Sequence, residues 1–438
     1  MLRRASGLWR HADFMKLWTG QTISQFGSLI SREALPFAAV LVLGATPAQM
    51  GLLIAAGAAP VLLLGLIAGV WVDRLRRRPI LIAADLLRAL LLLSIPAAWL
   101  LGALRIEQLY VVAMLTSSLT LFFDVAYQSY LPSLVQRDRL VEGNSKLGMS
   151  ASIAEVAGPP IGGGLMQLIG APLAVLVDAA SFLASALLLS RIKTPEPALR
   201  PPAEAPPQIR REITDGLRTV WRQPLLRAMA GGAALFYFSE NMIGPLYGLY
   251  VLKELGLSPA IVGLITALGG ASALLGALLA EPLARRVGPG PALIGALCIV
   301  ALMALLLPLA RGSRGTVVAL LLVAQIGDAA LAIFGINELS LRQSVTPDAL
   351  LGRVNASMRL IETGVGPLGA LLGGALGALL GLRTTMVVAV LGILVASIWL
   401  AASPLRNVRA LAPDVAATAH DAPDERESGQ PAAITAKR

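Results

Sequence analysis

Apolar runs long enough to cross a bilayer alternate with short polar breaks from about residue 14 to residue 403. A hydrocarbon core of about 30 Å takes about 20 residues of helix. Lipid offers the backbone no hydrogen-bond partner, so an open strand is excluded and each run is predicted as a helix. The expected spans are 14–43, 48–72, 80–101, 107–128, 146–169, 171–190, 226–250, 259–280, 290–310, 316–338, 356–380 and 384–403. The predicted fold class is an all-α membrane protein with twelve transmembrane helices. The first run is too long and too polar for the apolar part of a signal peptide and is expected to stay in place as a span.

The pattern breaks once in the middle. "TPEPALRPPAEAPPQIRREITDGLRTVWRQP" opens with prolines that cannot continue a helix. Its second part, residues 209–222, places Ile213, Leu217, Val220 and Trp221 at helical spacing, which predicts an amphipathic helix with that face toward the membrane. From about Pro404 onward the sequence is polar and poor in large apolar residues, as a disordered tail would be.

Composition agrees with this. Of 438 residues, 56% are hydrophobic and 14% charged, against about 25% charged in a soluble domain; no large soluble domain is left over. The net charge of +10 would suggest nucleic acid if the basic residues formed a groove with interleaved aromatics. They sit instead in short loops, so nucleic acid is not an expected partner and the bilayer is. Arg3, Arg4, Arg10, Arg74, Arg76, Arg77, Arg78, Arg137, Arg139, Arg191, Lys193, Arg285, Arg286, Arg342 and Arg353 fall on one set of loops. The opposite set holds little beyond Arg105, Lys253, Arg311, Arg314 and Arg383. By the positive-inside rule both termini are expected to be cytoplasmic. The expected domains are an N-terminal six-helix half, 1–190; a cytoplasmic linker, 191–224; a C-terminal six-helix half, 225–404; and a cytoplasmic tail, 405–438.

Chemistry-bearing residues are few. The two histidines, His11 and His420, lie outside the spans, and the single cysteine, Cys298, lies within an apolar run as a packing residue. That excludes a disulfide framework and leaves no His/Cys metal cluster. No nucleophile, base and acid stand together, and no phosphate-binding loop is present. Neither an enzyme nor a resident metal or cofactor is expected.

The halves repeat. "GVWVDRLRRR" at Gly69 is echoed by "GALLAEPLARR" at Gly276, 207 residues on (276 − 69), and "SLVQRDRLVEGNS" by "SVTPDALLGRVNAS", where Asn144 and Asn355 are 211 apart (355 − 144). Carried forward, the second offset pairs Gly158 with Gly369, Gly162 with Gly373, Gly163 with Gly374 and Gly170 with Gly381. Six spans repeated in parallel around a central cavity is an organisation of secondary transporters, whose substrate site lies near the midplane between the repeats.

Over residues 12–404 the sequence resembles the major facilitator superfamily, particularly its bacterial branch of macrolide-efflux-like and enterobactin-exporter-like proteins. "GVWVDRLRRR" is similar to that family's signature after the second helix. The resemblance makes Gly69, Asp73 and Arg77 a gating loop, with Asp73 latching the outward-open state; Arg76 stands where the signature has a second glycine. "GPPIGG", with Gly158, Pro159, Gly162 and Gly163, is similar to the antiporter signature of exporters, although Ser145 and Ala154 replace its earlier glycines. "INELSLRQSVTPDALLGRVNASMR" also looks like this branch. The implied localisation is a bacterial-type inner membrane, and the implied assembly a monomer.

An ionisable residue at bilayer depth costs at least about 2.5 kcal/mol and is a candidate for function. Glu33 and Glu240 are 207 apart (240 − 33) and should occupy symmetry-related positions near the centre of the two halves; the resemblance implies that their helices line the central cavity, where facing carboxylates could bind a proton, a cation, or each in turn. Arg32 is a possible partner for one of the acids. Adjacent helical residues point about 100° apart, so it is not expected to pair with Glu33. Glu155 and Glu362 form a looser pair, each shortly before a Gly-Pro element, and Asp85 and Arg88 can pair with each other at i, i+3 near the inner surface. Asp124, Asp178 and Asp328 are further candidates. The expected function is efflux of small amphipathic molecules, with the proton as coupling ion. Uptake or lipid flipping by the same fold, and a receptor or scaffold role, are the alternatives.

Overall fold

In the computed structural model, residues 7–136, 139–196 and 209–409 are described, and among them the chain is helical with no strand. α1 (Ala12–Leu41), α2 (Pro47–Asp73), α3 (Arg77–Leu100), α4 (Ile106–Leu134), α5 (Leu140–Ile169) and α6 (Ala171–Ser190) come first. α7 (Ile209–Arg222) crosses between the halves. α8 (Pro224–Leu249) ends in a π-helical turn, Tyr250–Glu254. α9 (Pro259–Val287), α10 (Pro289–Ala304), α11 (Leu306–Leu309), α12 (Arg314–Ala324), α13 (Ile326–Ser344), α14 (Asp348–Leu380) and α15 (Leu382–Ala402) complete it.

Start signals are local. Thr46 and Gln49 form a reciprocal capping box with Pro47 in the first turn of α2, and Ser258 with Pro259 does similar work for α9. Gly170 and Gly381 are single-residue joints, α5 to α6 and α14 to α15, with φ of 83° and 84°. That conformation favours glycine, and it falls at two positions that the 211-residue offset pairs.

Nine helical stretches are long and apolar enough to span a membrane among the described residues. α1, α5 and α8 are long enough too, at 30, 30 and 26 residues, but are not among the nine. Their apolarity is diluted by polar groups, including Glu33, Glu155 and Glu240. Two expected spans carry a one-residue turn that keeps helical dihedrals, 290–310 at Leu305 between α10 and α11 and 316–338 at Gln325 between α12 and α13, and each still counts as one stretch among the nine.

α1 packs on α5 and α6, α3 on α4 and α6, and α2 on α4. In the second half α8 packs on α14 and α15, α10 on α13 and α15, and α9 on α13. The two sets meet chiefly through α2 with α14 and α5 with α9. The apolar core is uneven along the bundle. At the end away from the arginine-rich loops, hereafter the distal end, one cluster joins both halves, including Phe37, Leu92, Leu246 and Ile265. At the basic end each half has its own core, one around Phe14 and Tyr130 and one around Phe236 and Phe334.

Three expectations change. α7 meets α14 through Gly216, which lies against the Arg353 backbone and Ser357, and Asp215, which pairs with Arg353 at 3.4 Å; of the apolar face expected toward the membrane, Val220 is buried, Leu217 and Trp221 are exposed, and the Ile213 side chain lies outside the described residues. The tail is ordered through residue 409, with Leu405 buried and Val408 O accepting from Gly290 N at 3.1 Å; residues 410–438 lie outside the described residues. Cys298 lies on an exposed face of α10 rather than in packing.

Candidate functional site

Where the shared distal core ends, the halves part around a cavity of about 440 Å³. Glu33 comes from α1, Glu240 from α8 and Asp328 from α13, while Met50, Ile54, Phe236, Val300 and Met303 give it apolar walls. None of the three carboxylates makes a hydrogen bond or ion pair with another described residue. Asp328 reaches this position over Gly269 of α9, where a Cβ would collide with its carboxylate.

Arg32 borders this cavity and a second one of about 320 Å³ within the first half. Its guanidinium makes its ion pair with Glu155 Oε1 of α5, donating at 2.8 Å, rather than with Glu33, both side chains of the pair being about half exposed. The smaller cavity also presents Gln21, Gln25, Ser28, Thr120 and Asp124. The Oε1 atoms of both glutamines are buried without a described donor.

Of the other intramembrane acids, Asp124 on the wall of the smaller cavity has no side-chain hydrogen bond or ion pair among the described residues, while Asp85, Asp178 and Glu362 are partnered. Asp85 and Arg88 form the expected i, i+3 pair, 2.5 Å apart and 0% and 3% exposed, buried among the helices of the first half. Arg88 is held between the Phe123 and Phe182 rings, 4.4 and 4.1 Å from its guanidinium carbon, and reaches the wall of the smaller cavity. Asp178 accepts from Ser28 and Ser181. Glu362 does not meet Glu155: it accepts from Arg342 at 3.2 Å, and Arg342 also lies 3.6 Å from Glu338.

The glycine element of α5 lies on two surfaces. Gly158 and Gly162 sit against Leu29 and Ile30 of α1, while Gly163 meets the first turn of α9. There Gly263 lies in turn on the Pro159 and Pro160 backbone. The crossing of α2 with α14 is built alike, with Gly51 against Gly374. Gly69 and Asp73 fall in the last turns of α2, their side-chain positions outside the described residues. The amides of Arg77 and Arg78 donate to Glu196 at 2.8 Å each.

Sequence reasoning ranked Glu33 and Glu240 together and did not rank Asp328 or Asp124, which line the two cavities. The signal was there, an acid in an apolar run, but the helix rotation that points it inward is a tertiary property.

Residues 6–428 match the family model described as transmembrane secretion effector. The chain is 29% identical to the multidrug efflux pump Tap of Mycolicibacterium fortuitum over 75% of its length and 81% of that protein's. It is 29% identical to the enterobactin exporter EntS of Citrobacter koseri over 57% of its length and 58% of that protein's. The structure superposes on an inward-facing bacterial homologue of the iron transporter ferroportin with a TM-score of 0.72, covering 89% of this chain and 98% of that one at 19% identity.

Proposed function

The chain belongs to the transmembrane secretion effector family of the major facilitator superfamily, and from that membership we propose that it is a proton-coupled exporter of small amphipathic molecules, working by alternating access. The observation that carries the reading is the convergence of Glu33, Glu240 and Asp328 on one largely apolar cavity without a bonded cation. Apolar walls suit the body of an amphipathic substrate and the acids suit a cationic or proton-donating head. A proton and a cationic substrate compete for the same carboxylates, and that competition is the differential affinity that coupling requires.

In this reading the chain has twelve spans, α10 with α11 and α12 with α13 each counting as one, arranged as two six-helix repeats joined by the linker. The basic end faces the cytoplasm of a bacterial inner membrane, placing both termini there. The shared distal core and the separate cores at the basic end then correspond to an inward-facing state. Arg32 gives its ion pair to Glu155 at the junction of the two cavities, which leaves the Glu33 carboxylate without one until substrate or proton arrives. Glu362 steadies α14 through Arg342. Opening outward would separate α5 from α9 and α2 from α14 and bring the basic ends together, where Gly69, Asp73 and Arg77 would act as the latch. The protein works as a monomer, with no resident cofactor.

The test uses proteoliposomes holding a pH-sensitive dye, with no imposed gradient, and a lipophilic cation such as tetraphenylphosphonium or ethidium. Substrate-driven proton movement in the wild type that disappears in Glu33→Gln/Glu240→Gln is expected. Substrate movement without proton movement, or proton movement that survives the double substitution, overturns the coupling assignment. Accumulation along the proton gradient would make the protein an uptake carrier.

A further inference from the structure

A cavity unrelated to the central ones opens at the side of the basic end, between α3 and the segment after α6. Its volume is about 690 Å³. Arg76, Arg78 and Lys193 supply its positive charge against the single carboxylate of Glu196 on the same wall, and Ile82 and Ala83, with Leu86 one turn on along α3, supply an apolar wall. Leu86 is 47% exposed, as a side chain facing lipid would be.

The two acids nearest to this charge are already committed. Glu196 accepts from the amides that open α3, at Arg77 and Arg78. Asp13 pairs with Lys16 and accepts from the amides of Lys193 and Thr194. Arg78 donates Nε to Leu189 O at 3.0 Å and Nη2 to Ser190 O, leaving Nη1 for another acceptor. No described carboxylate lies in ion-pair range of Arg76, Arg78 or Lys193. The opening is thus a net-positive pocket whose wall continues down the bilayer-facing surface of α3.

We infer that this pocket binds an anionic phospholipid, with its phosphate among Arg76, Arg78 and Lys193 and an acyl chain along Ile82, Ala83 and Leu86. Basic pockets between transmembrane helices suit such head groups, and each basic residue near a membrane surface adds about fivefold to the affinity. A free anion would gain the charge and leave the apolar wall uncovered; a lipid uses both. Arg76, which stands where the family signature has a glycine, thereby acquires a partner. A lipid here would tie the turn between α2 and α3 to the leaflet beside it. The inference rests on the chain being a membrane protein and does not depend on what it transports.

The test is native mass spectrometry of the delipidated full-length protein, titrated separately with phosphatidylglycerol and phosphatidylcholine of matched chains. Phosphatidylglycerol adducts should form at lower lipid concentration. Arg76→Gln/Lys193→Gln should weaken them by about fivefold for each charge removed, while Arg76→Lys/Lys193→Arg and the distant Arg285→Gln/Arg286→Gln should bind as the wild type does. Leu86→Gln should weaken both lipids equally. Equal binding of the two lipids, unchanged binding in the glutamine variant, or competition by glycerol 3-phosphate at concentrations comparable with the lipid would each overturn the assignment.

Discussion

The sharpest prediction concerns Gly163 and Gly263. A Cβ on Gly163 would stand 3.1 Å from the Pro259 carbonyl carbon and 3.2 Å from Ala260 Cα. One on Gly263 would stand 3.0 Å from the Pro159 carbonyl carbon and 3.2 Å from Pro160 Cα. Carbon atoms pack comfortably at about 3.5–4.0 Å, so either Gly→Ala change must part α5 and α9 by roughly 0.5–1 Å. The obstruction is backbone on both sides and cannot rotate away. Overpacking of this kind costs about 1–3 kcal/mol, which moves a two-state equilibrium about 5- to 150-fold. If the cost falls only on the state with the distal end closed, the population shifts toward the distally open one. Spin labels at Arg105→Cys and Arg314→Cys, in a Cys298→Ser background, read this as a longer distance component by double electron–electron resonance. The double variant should cost less than the two singles added, because the first alanine has already parted the helices. An unchanged distance distribution in both single variants, with the protein folded, would refute the claim that this crossing sets the closed state; full additivity would refute the claim that the two glycines serve one contact.

Other outcomes follow from the charges and the linker. Arg88→Leu leaves Asp85 charged and unpaired in the interior and should destabilise by about 3–5 kcal/mol, seen as a lower thermal midpoint in detergent; Asp85→Asn/Arg88→Leu should recover most of it. Glu362→Gln should lower stability with transport reduced in proportion to folded protein, whereas Glu240→Gln should keep the wild-type melting profile and lose substrate-driven proton movement. Gly216→Leu should lift α7 from α14, read as new proteolytic cleavage within residues 209–222.

How much of this was legible in the sequence depends on the range of the physics. Span existence is a matter of about 20 apolar residues in a row, so helix positions were visible from end to end. The one-residue turns at Leu305 and Gln325 were not, because the apolar pattern runs through both; at the second, the Gln325 side chain donates to Ile265 O of α9 at 3.0 Å, a contact between residues 60 apart in sequence. The 211-residue offset was informative beyond hydrophobicity, since Gly170 and Gly381 take the same φ > 0 joint and Gly163 and Gly374 each lie at a crossing between helices of opposite halves. That Arg32 would not pair with Glu33 followed from helix geometry alone. Which acid Arg32 would take did not, because Glu155 is 123 residues away and only the approach of α1 to α5 joins them. The docking of α7 on α14 through Gly216 and Asp215 was likewise set by a surface on α14 that no local pattern reports.

The pairing pattern itself carries the functional argument. Leaving a carboxylate unpaired at bilayer depth is costly, and away from the cavities this chain avoids it: Asp85 has Arg88, Glu362 has Arg342, Glu155 has Arg32, and Asp178 has two serine hydroxyls, whereas Asp124, like the three central acids, lines a cavity without a partner. Arginines were therefore available to the fold, and one of them, Arg32, sits next to Glu33 in sequence and on the edge of the same cavity. It is nevertheless turned to a different acid. A structure that needed Glu33, Glu240 and Asp328 only for packing would gain by neutralising them or replacing them with apolar residues. Their convergence on one cavity, from helices of both halves, makes sense if the missing partner comes and goes, as a proton or a cationic substrate does in each transport cycle.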